Sequence, residues 1–306
     1  MSYLPKIHQL KAFQAVIRYG SIRAAARSLN LSQPALTRSL KELENSLGTT
    51  LVTRGVHGVQ LTESGRLFSI RMEIILSELQ KATEELKYVN EQAEGQLRLG
   101  CSSLILTTIY PKMIAEFRQY QPKASLFLQE GQLSTLMPNL RNNKLDFAIG
   151  SVSENIPLHE FVEEPLFKAS FTILCRKGHP LERSTNLEQL ANANWIIPAT
   201  DMGYYHELQN IFDGVINTSF LSTDSMVCGL NLILESDYLI VIAKTMSNPF
   251  LLGDRLTEIK LKTELPKATF SLIYPRNIPL TLTANRMIKI LRWHCKNTDW
   301  NKVYFT

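Results

Sequence analysis

Four side chains between residues 33 and 41 carry the most informative chemistry in this 306-residue chain. Gln33, Thr37, Arg38 and Lys41 recur at intervals that place them on one face of a helix, while Leu36, Leu40, Leu43 and Leu47 form an apolar edge opposite. An amide, a hydroxyl, a guanidinium and an ammonium offer hydrogen bonds and positive charge, but no activated nucleophile. Their chemistry is recognition: glutamine pairs well with an adenine edge, arginine with a guanine edge, and a nearby cation neutralises phosphate. Signatures of catalysis are missing, since the sequence holds no G-x-S-x-G elbow, no P-loop, no G-x-G-x-x-G and no H-E-x-x-H. The six histidines, His8, His57, His159, His179, His206 and His294, show no ligand spacing, and Cys101, Cys175, Cys228 and Cys295 form no C-x-x-C pair. No metal, cofactor or disulfide framework is expected, and the thiols are read as reduced.

The elements that must hold the recognition residues can be read from caps and periodicity. Leu10, Phe13, Val16 and Ile17 imply a first helix ending at Gly20, and Ser21 can cap a second whose stripe is Ile22, Ala25, Ala26 and Leu29. The two alanines let a neighbouring helix approach closely. Asn30-Leu31 is a short break, Ser32 can cap the third helix, Pro34 falls in its first turn and Gly48 stops it. Leu51–Arg54 and Val59–Thr62 then read as two strands joined by a Gly55…Gly58 turn, a β-wing.

From Thr62 a long helix is expected to run to about Gln92. Phe68, Met72, Ile75, Leu79, Ala82, Leu86 and Val89 follow alternating steps of four and three, the seam of a coiled coil, which implies a partner helix from a second copy of the chain. The alternative is that this face packs on the chain's own body. Beyond Gly95 short β-rich runs alternate with amphipathic segments, as in an α/β domain. Strands are expected at 97–100, 125–129, 146–150, 169–176, 195–198, 219–222, 238–243, 257–261 and 268–274. Helices are expected near 108–120, 133–143, 186–192, 203–214, 224–235 and 279–295.

Charge divides the chain in the same place. Residues 1–66 hold nine basic and three acidic side chains, whereas the remaining 240 are close to neutral, so the overall charge of +5 resides in the first fifth. A basic head on a near-neutral body suits a polyanion partner. The start lacks the basic and apolar segments of an export signal, and the longest purely apolar stretch, Tyr238–Ala243, is too short to span a bilayer. A cytoplasmic protein with no membrane partner is therefore expected.

The segments Phe13-Gln14-Ala15-Val16, Gly20-Ser21-Ile22-Arg23-Ala24-Ala25-Ala26, Leu31-Ser32-Gln33-Pro34-Ala35-Leu36-Thr37-Arg38, Leu43-Glu44 and Leu61-Thr62-Glu63-Ser64-Gly65 together resemble the signature of LysR-type transcriptional regulators, in order and spacing. Val52 departs from a usual Phe and His57 from a common second Arg. Gly131-Gln132-Leu133, Leu145-Asp146-Phe147-Ala148-Ile149-Gly150, Glu164-Pro165-Leu166 and Lys177-Gly178-His179-Pro180-Leu181 are similar to the family's effector-binding domain. With Gly203-Tyr204-Tyr205, they resemble the branch that includes regulators of threonine degradation and aminobenzoyl-glutamate utilisation.

The resemblance implies a fold of class α + α/β: a winged helix-turn-helix over 1–66, a linker and dimerisation helix over 67–94, and a two-lobed effector domain over 95–306, like periplasmic binding proteins. Lobe 1 is expected at 95–163 and 267–306, and lobe 2 at 164–266, with the outward crossing near Glu164–Lys168 and the return near Lys267–Thr269. The DNA-binding set is Ser32, Gln33, Pro34, Thr37, Arg38, Lys41 and Arg54, the first three opening the recognition helix and Lys41 and Arg54 serving phosphates. Effector contacts are expected from Ser102, Ser103, Gln132, Gly150 and Ser151 in lobe 1, and from Thr200, Met202, Gly203 and Tyr204 in lobe 2. The implied partners are double-stranded DNA bearing an interrupted palindrome, a small carboxylate or similar anion, other copies in a homodimer or homotetramer, and RNA polymerase. Three alternatives stand beside this reading: a redox-responsive regulator using Cys101 and Cys228, a small-molecule enzyme, and a secreted solute-binding protein.

Overall fold

Hydroxyl caps and left-handed glycines set the boundaries of the N-terminal helices, α1 (Ile7–Tyr19), α2 (Ile22–Ser28) and α3 (Gln33–Leu47). Ser21 and Ser32 accept hydrogen bonds from the backbone N–H of Ala24 and Ala35, while Gly20 and Gly48 close α1 and α3 at φ of 63° and 66°. The computed structural model describes residues 4–55, 58–89, 95–153, 156–199, 220–247 and 253–301; the side chains of residues 54 and 87–89 lie outside that description. Contacts divide the chain into two compact units, residues 1–93 with 142–144, and residues 94–141 with 145–306.

In the first unit, α1, α2 and α3 pack around Ala12, Val16, Ile22, Ala25, Ala26 and Leu36. A second cluster joins Leu10, Phe13, Leu40, Leu43 and Leu51 to Met72 of the long helix α4 (Glu63–Val89). The wing is an antiparallel pair, β1 (Val52–Gly55) and β2 (Gly58–Leu61), in which Val52 faces Leu61 and Arg54 faces Val59. Val52 is partly buried against both clusters.

The second unit contains two five-stranded sheets of the same design, each with two parallel and two antiparallel pairings, so that four strands run one way and one, Ala268–Pro275 or Phe171–Arg176, runs against them. The first has the order β4-β3-β5-β12-β6, from β3 (Gln96–Cys101), β4 (Ser125–Glu130), β5 (Phe147–Ser151), β6 (Phe161–Ala169) and β12 (Ala268–Pro275). The second has the order β11-β7-β10-β8-β9, from β7 (Phe171–Arg176), β8 (Asn194–Ile197), β9 (Phe220–Ser222), β10 (Tyr238–Ala243) and β11 (Leu256–Ile259). Helices α5 (Ser103–Thr108), α6 (Tyr110–Tyr120), α7 (Leu133–Arg141), α8 (Met226–Glu235) and α9 (Leu282–Lys296) complete the lobes. One apolar cluster, including Leu97, Phe117, Phe147, Ile173, Trp195, Leu239, Leu272 and Leu291, runs through both sheets.

Two expectations are corrected here. Residues 164–168 are not the crossing: they pair with β12 along the edge of the first sheet, and the chain passes to the second sheet at Ser170. Pro165 obscured this strand, yet an edge strand tolerates proline because one row of its N–H groups has no ladder partner. The helix expected at 186–192 is only a 3₁₀ turn, Glu188–Leu190. The return crossing lies between β11 and β12, and the helix expected at 203–214 falls outside the described residues.

Candidate DNA interface and effector cleft

Helix α3 divides as its sequence demands. Leu36, Leu40 and Leu43 are buried, whereas Ser32, Gln33, Pro34, Arg38 and Lys41 are exposed and Thr37 is half-buried. Gln33, Pro34, Thr37, Arg38, Lys41, Glu42 and Asn45 line one open concavity of about 700 Å³. Arg38 has 83% of its side chain exposed, and its Nε donates to Glu42 Oε1 at 3.0 Å. That hydrogen bond holds the Glu42 carboxyl below the usual carboxylate range. So exposed a pair adds little to stability, and it aligns the guanidinium along the open face at little cost when a stronger partner arrives. Glu42 and Asn45 were absent from the expected set, although their spacing from Arg38 and Lys41 placed them on the same face.

Backbone contacts fix the wing beside this surface. Glu44 Oε1 accepts from the N–H groups of Leu51 at 2.8 Å and Val52 at 3.2 Å, so a helix carboxylate anchors the first wing strand. Thr62 Oγ1 accepts from the N–H of Gly65 at 2.9 Å, capping α4, and donates to the carbonyl of Thr50. Gly65 allows α4 to approach so closely that a Cβ there would lie 2.0 Å from the Leu51 carbonyl oxygen. Gly58, at φ +105°, lies against Gly20 in the same way, and the N–H of Val59 donates to the Gly20 carbonyl at 2.9 Å. Arg54 is in β1 opposite Val59, and its side chain is outside the described set.

The seam of α4 divides into two parts. Met72 is buried in the unit's own core and Phe68 is half-buried, its ring 5.9 Å from that of Phe13. These two residues therefore face inward, which narrows the exposed stripe. Ile75 (52% exposed), Leu79 (43%), Ala82 and Leu86 (67%) stay uncovered within the chain, and the side chain of Val89 is not described.

In the first lobe three expected groups meet at the carboxyl ends of adjacent parallel strands, where an α/β crevice opens. Ser102 follows β3, Gln132 follows β4, and Gly150 and Ser151 end β5. The N–H of Ser102 donates to the Ile149 carbonyl at 3.1 Å, and that of Gly131 to the Cys101 carbonyl at 3.1 Å. Ser102, 4% exposed, has a buried Oγ without a hydrogen-bond partner. Ser103 differs, because its hydroxyl donates to Glu130 Oε1 at 2.5 Å. A Cβ at Gly150 would come 2.9 Å from Leu133 Cγ, which gives that glycine a packing role. Thr200, Met202, Gly203 and Tyr204 lie outside the described residues.

The second lobe supplies a group the sequence reading missed. A 3₁₀ turn, Lys244–Met246, follows β10 and packs against α5 of the first lobe. Within it Thr245, 3% exposed, also carries an Oγ1 that is buried and unpaired. Because β10 is parallel to β8, Thr245 follows a parallel strand just as Ser102 does. Applying the strand-end rule to Tyr238–Ala243 would have found it. Buried hydroxyls are nearly always hydrogen-bonded, so two orphans in segments that meet across the lobes suit a polar ligand.

The sequence matches the LysR substrate binding domain over residues 90–296 and the bacterial regulatory helix-turn-helix protein, lysR family, over residues 7–66. The chain belongs to the LysR family. It is 35% identical to the HTH-type transcriptional regulator TdcA of Escherichia coli K12 over 94% of this chain and 93% of that one. The HTH-type transcriptional regulator GbpR of Azospirillum brasilense is 25% identical over 94% and 86%. Among solved structures, a full-length OxyR variant from Pseudomonas aeruginosa superposes with a TM-score of 0.69 at 18% identity, covering 98% and 97% of the two chains. Full-length CbnR complexed with its target DNA superposes with a TM-score of 0.69 at 17% identity, over 94% and 99%. These structural likenesses establish the fold.

As a LysR-type regulator the chain is a DNA-binding transcription factor with an effector-binding domain, not an enzyme. Its thiols do not favour the redox alternative. Burial pushes the Cys101 thiol far up, with the charge of Glu130 adding to the effect, and raises Cys175 and Cys295 to about 12. Cys228 alone is exposed. Among the described residues no helix is long and apolar enough to cross a membrane.

Proposed function

We propose that this LysR-type regulator reads an interrupted palindrome through paired heads, and that a small effector seated between Ser102 and Thr245 biases the arrangement of those heads. The open polar face of α3 carries the first half of this reading. Gln33, Thr37 and Arg38 are the base readers; Lys41, Arg54 and the helix N-terminus near Ser32 set the register on phosphates, and Pro34 fixes the first turn. Ile75, Leu79, Ala82 and Leu86 are exposed at coiled-coil spacing, which supports pairing of α4 with a second copy and, through the lobes, a homotetramer. Phe68 and Met72 act from within each head rather than across the dimer.

The effector site comprises Ser102, Ser103, Gln132, Gly150, Ser151 and Thr245, with Thr200, Met202, Gly203 and Tyr204 as its expected second-lobe side. Two unpaired buried hydroxyls suit a small carboxylate or similar anion. Such a ligand shifts the equilibrium only by its difference in affinity for the two lobe arrangements. The protein then acts in the cytoplasm at promoters, with RNA polymerase as the downstream partner.

The test is a thermal-shift screen of small carboxylates, with each hit carried into operator binding. A ligand that stabilises the protein and alters operator affinity is expected to lose both effects in Ser102→Ala combined with Thr245→Ala. Unchanged responses in that double variant would exclude the cleft as the effector site.

A further inference from the structure

Outside the interlobe site, the second lobe holds a cavity of about 470 Å³ walled by the start of β7, by Lys244, and by the run from Glu258 to Leu265. This volume falls in the range of small-molecule sites. Its charge is uneven. Lys244, Lys260 and Lys262 all line it, and among the described residues none of the three ammonium groups has an ion-pair or hydrogen-bond partner. Of the acids, Glu258 already accepts the hydroxyl of Thr172 and Glu264 is exposed. Lys244 is the informative member, because its side chain is half-buried. A lysine stem held against a cavity wall presents its ammonium with less freedom than a fully exposed one, so an anion bound there loses less to ordering.

Lysines on an outer strand commonly guard the sheet edge, and Lys260 and Lys262, just beyond edge strand β11, suit that role. Lys244 does not, since it follows the central strand β10. The cavity is also built from the two crossings between lobes. The N–H of Lys244 donates to the carbonyl of Ser170, where the chain leaves the first sheet, and the Ser170 hydroxyl donates to Asn301 Oδ1 at 2.6 Å. Lys260 and Lys262 belong to the returning segment between β11 and β12.

We infer that this cavity is a second ligand site, for a compact multivalent anion such as a phosphate or polycarboxylate, held by Lys244, Lys260 and Lys262. Because its walls are the crossings, an occupant that fits one lobe angle better than another shifts the same equilibrium as the effector. The inference does not depend on the assignment of the effector site.

The experiment is calorimetric titration of the full-length protein with inorganic phosphate, pyrophosphate and citrate at fixed ionic strength. At least one is expected to bind saturably, one per chain. Lys244→Gln with Lys262→Gln is expected to weaken binding at least tenfold, and the single exposed change Lys262→Gln to weaken it measurably with the fold intact. Ser102→Ala and Arg38→Ala are expected to leave it unaltered. Absence of saturable binding by all three anions would overturn the inference, as would binding undiminished in the double lysine variant. Loss of binding in Arg38→Ala would move the anion to the head, and loss in Ser102→Ala would move it to the cleft; either overturns the hinge site.

Discussion

Replacing Arg38 with alanine separates sequence reading from simple charge attraction. The side chain is 83% exposed and its partner is Glu42, so Leu36, Leu40 and Leu43 keep their packing and the head is expected to fold unchanged. If the guanidinium makes a bidentate contact to guanine, its loss costs about 1–3 kcal/mol per head, roughly 5- to 150-fold in affinity for each half-site and more for an operator read by two heads. A scrambled duplex of equal length should lose far less, because one of many cations is removed. The assay is fluorescence anisotropy on both duplexes over a salt series. Equal losses on the two duplexes, with the salt slope reduced by about 0.9 for each bound head, would make Arg38 a phosphate contact instead. Unchanged binding to both would remove α3 from the interface. Glu42 gives an internal control: Arg38 stabilises its charged form, an effect present above the ordinary carboxylate range and lost as acid protonates the group. Its titration, followed by NMR, is expected to move upward in Arg38→Ala.

Three further outcomes follow from the geometry. Glu44→Ala strands the N–H groups of Leu51 and Val52, so denaturant melts should show a loss of about 1–3 kcal/mol, together with weaker DNA binding from a loosened wing; an unchanged midpoint would show that water replaces the carboxylate. Leu79→Asp puts a charge on the exposed seam and is expected to dissociate the oligomer in sedimentation velocity while the far-UV spectrum is retained, whereas an unaltered sedimentation profile would refute the coiled-coil pairing. At pH 8 a maleimide is expected to label Cys228 rapidly and to spare Cys101, Cys175 and Cys295, whose raised thiol pKa values and burial keep them protonated and covered; rapid labelling of Cys101 would revive a redox role.

The head was legible residue by residue because its determinants are local. Ser21, Ser32, Gly20 and Gly48 cap the helices they precede or follow in sequence, and the leucines of α3 repeat at helical spacing. The role of Glu44 was not legible, since the N–H donors it accepts from lie seven and eight residues away and become reachable only once the wing folds back. Strand β6 was missed for a related reason: proline argues against a strand until its place at a sheet edge is known. In the second unit the strand-end rule pointed to Ser102 and would equally have pointed to Thr245, but that the turn carrying Thr245 packs against α5, and that its hydroxyl is buried without a partner, came only from the packed molecule.

Local periodicity, capping residues and the concentration of positive charge in the first 66 residues determined that the chain has a DNA-binding head, a long helix and an α/β body. These signals act between residues close along the chain, so one sequence suffices to read them. Which part of the long helix faces its own core, where the chain crosses between lobes, and which hydroxyls are buried without partners depend on contacts far apart in sequence. Burial and hydrogen-bond satisfaction are properties of the packed molecule, and only the tertiary structure decided them.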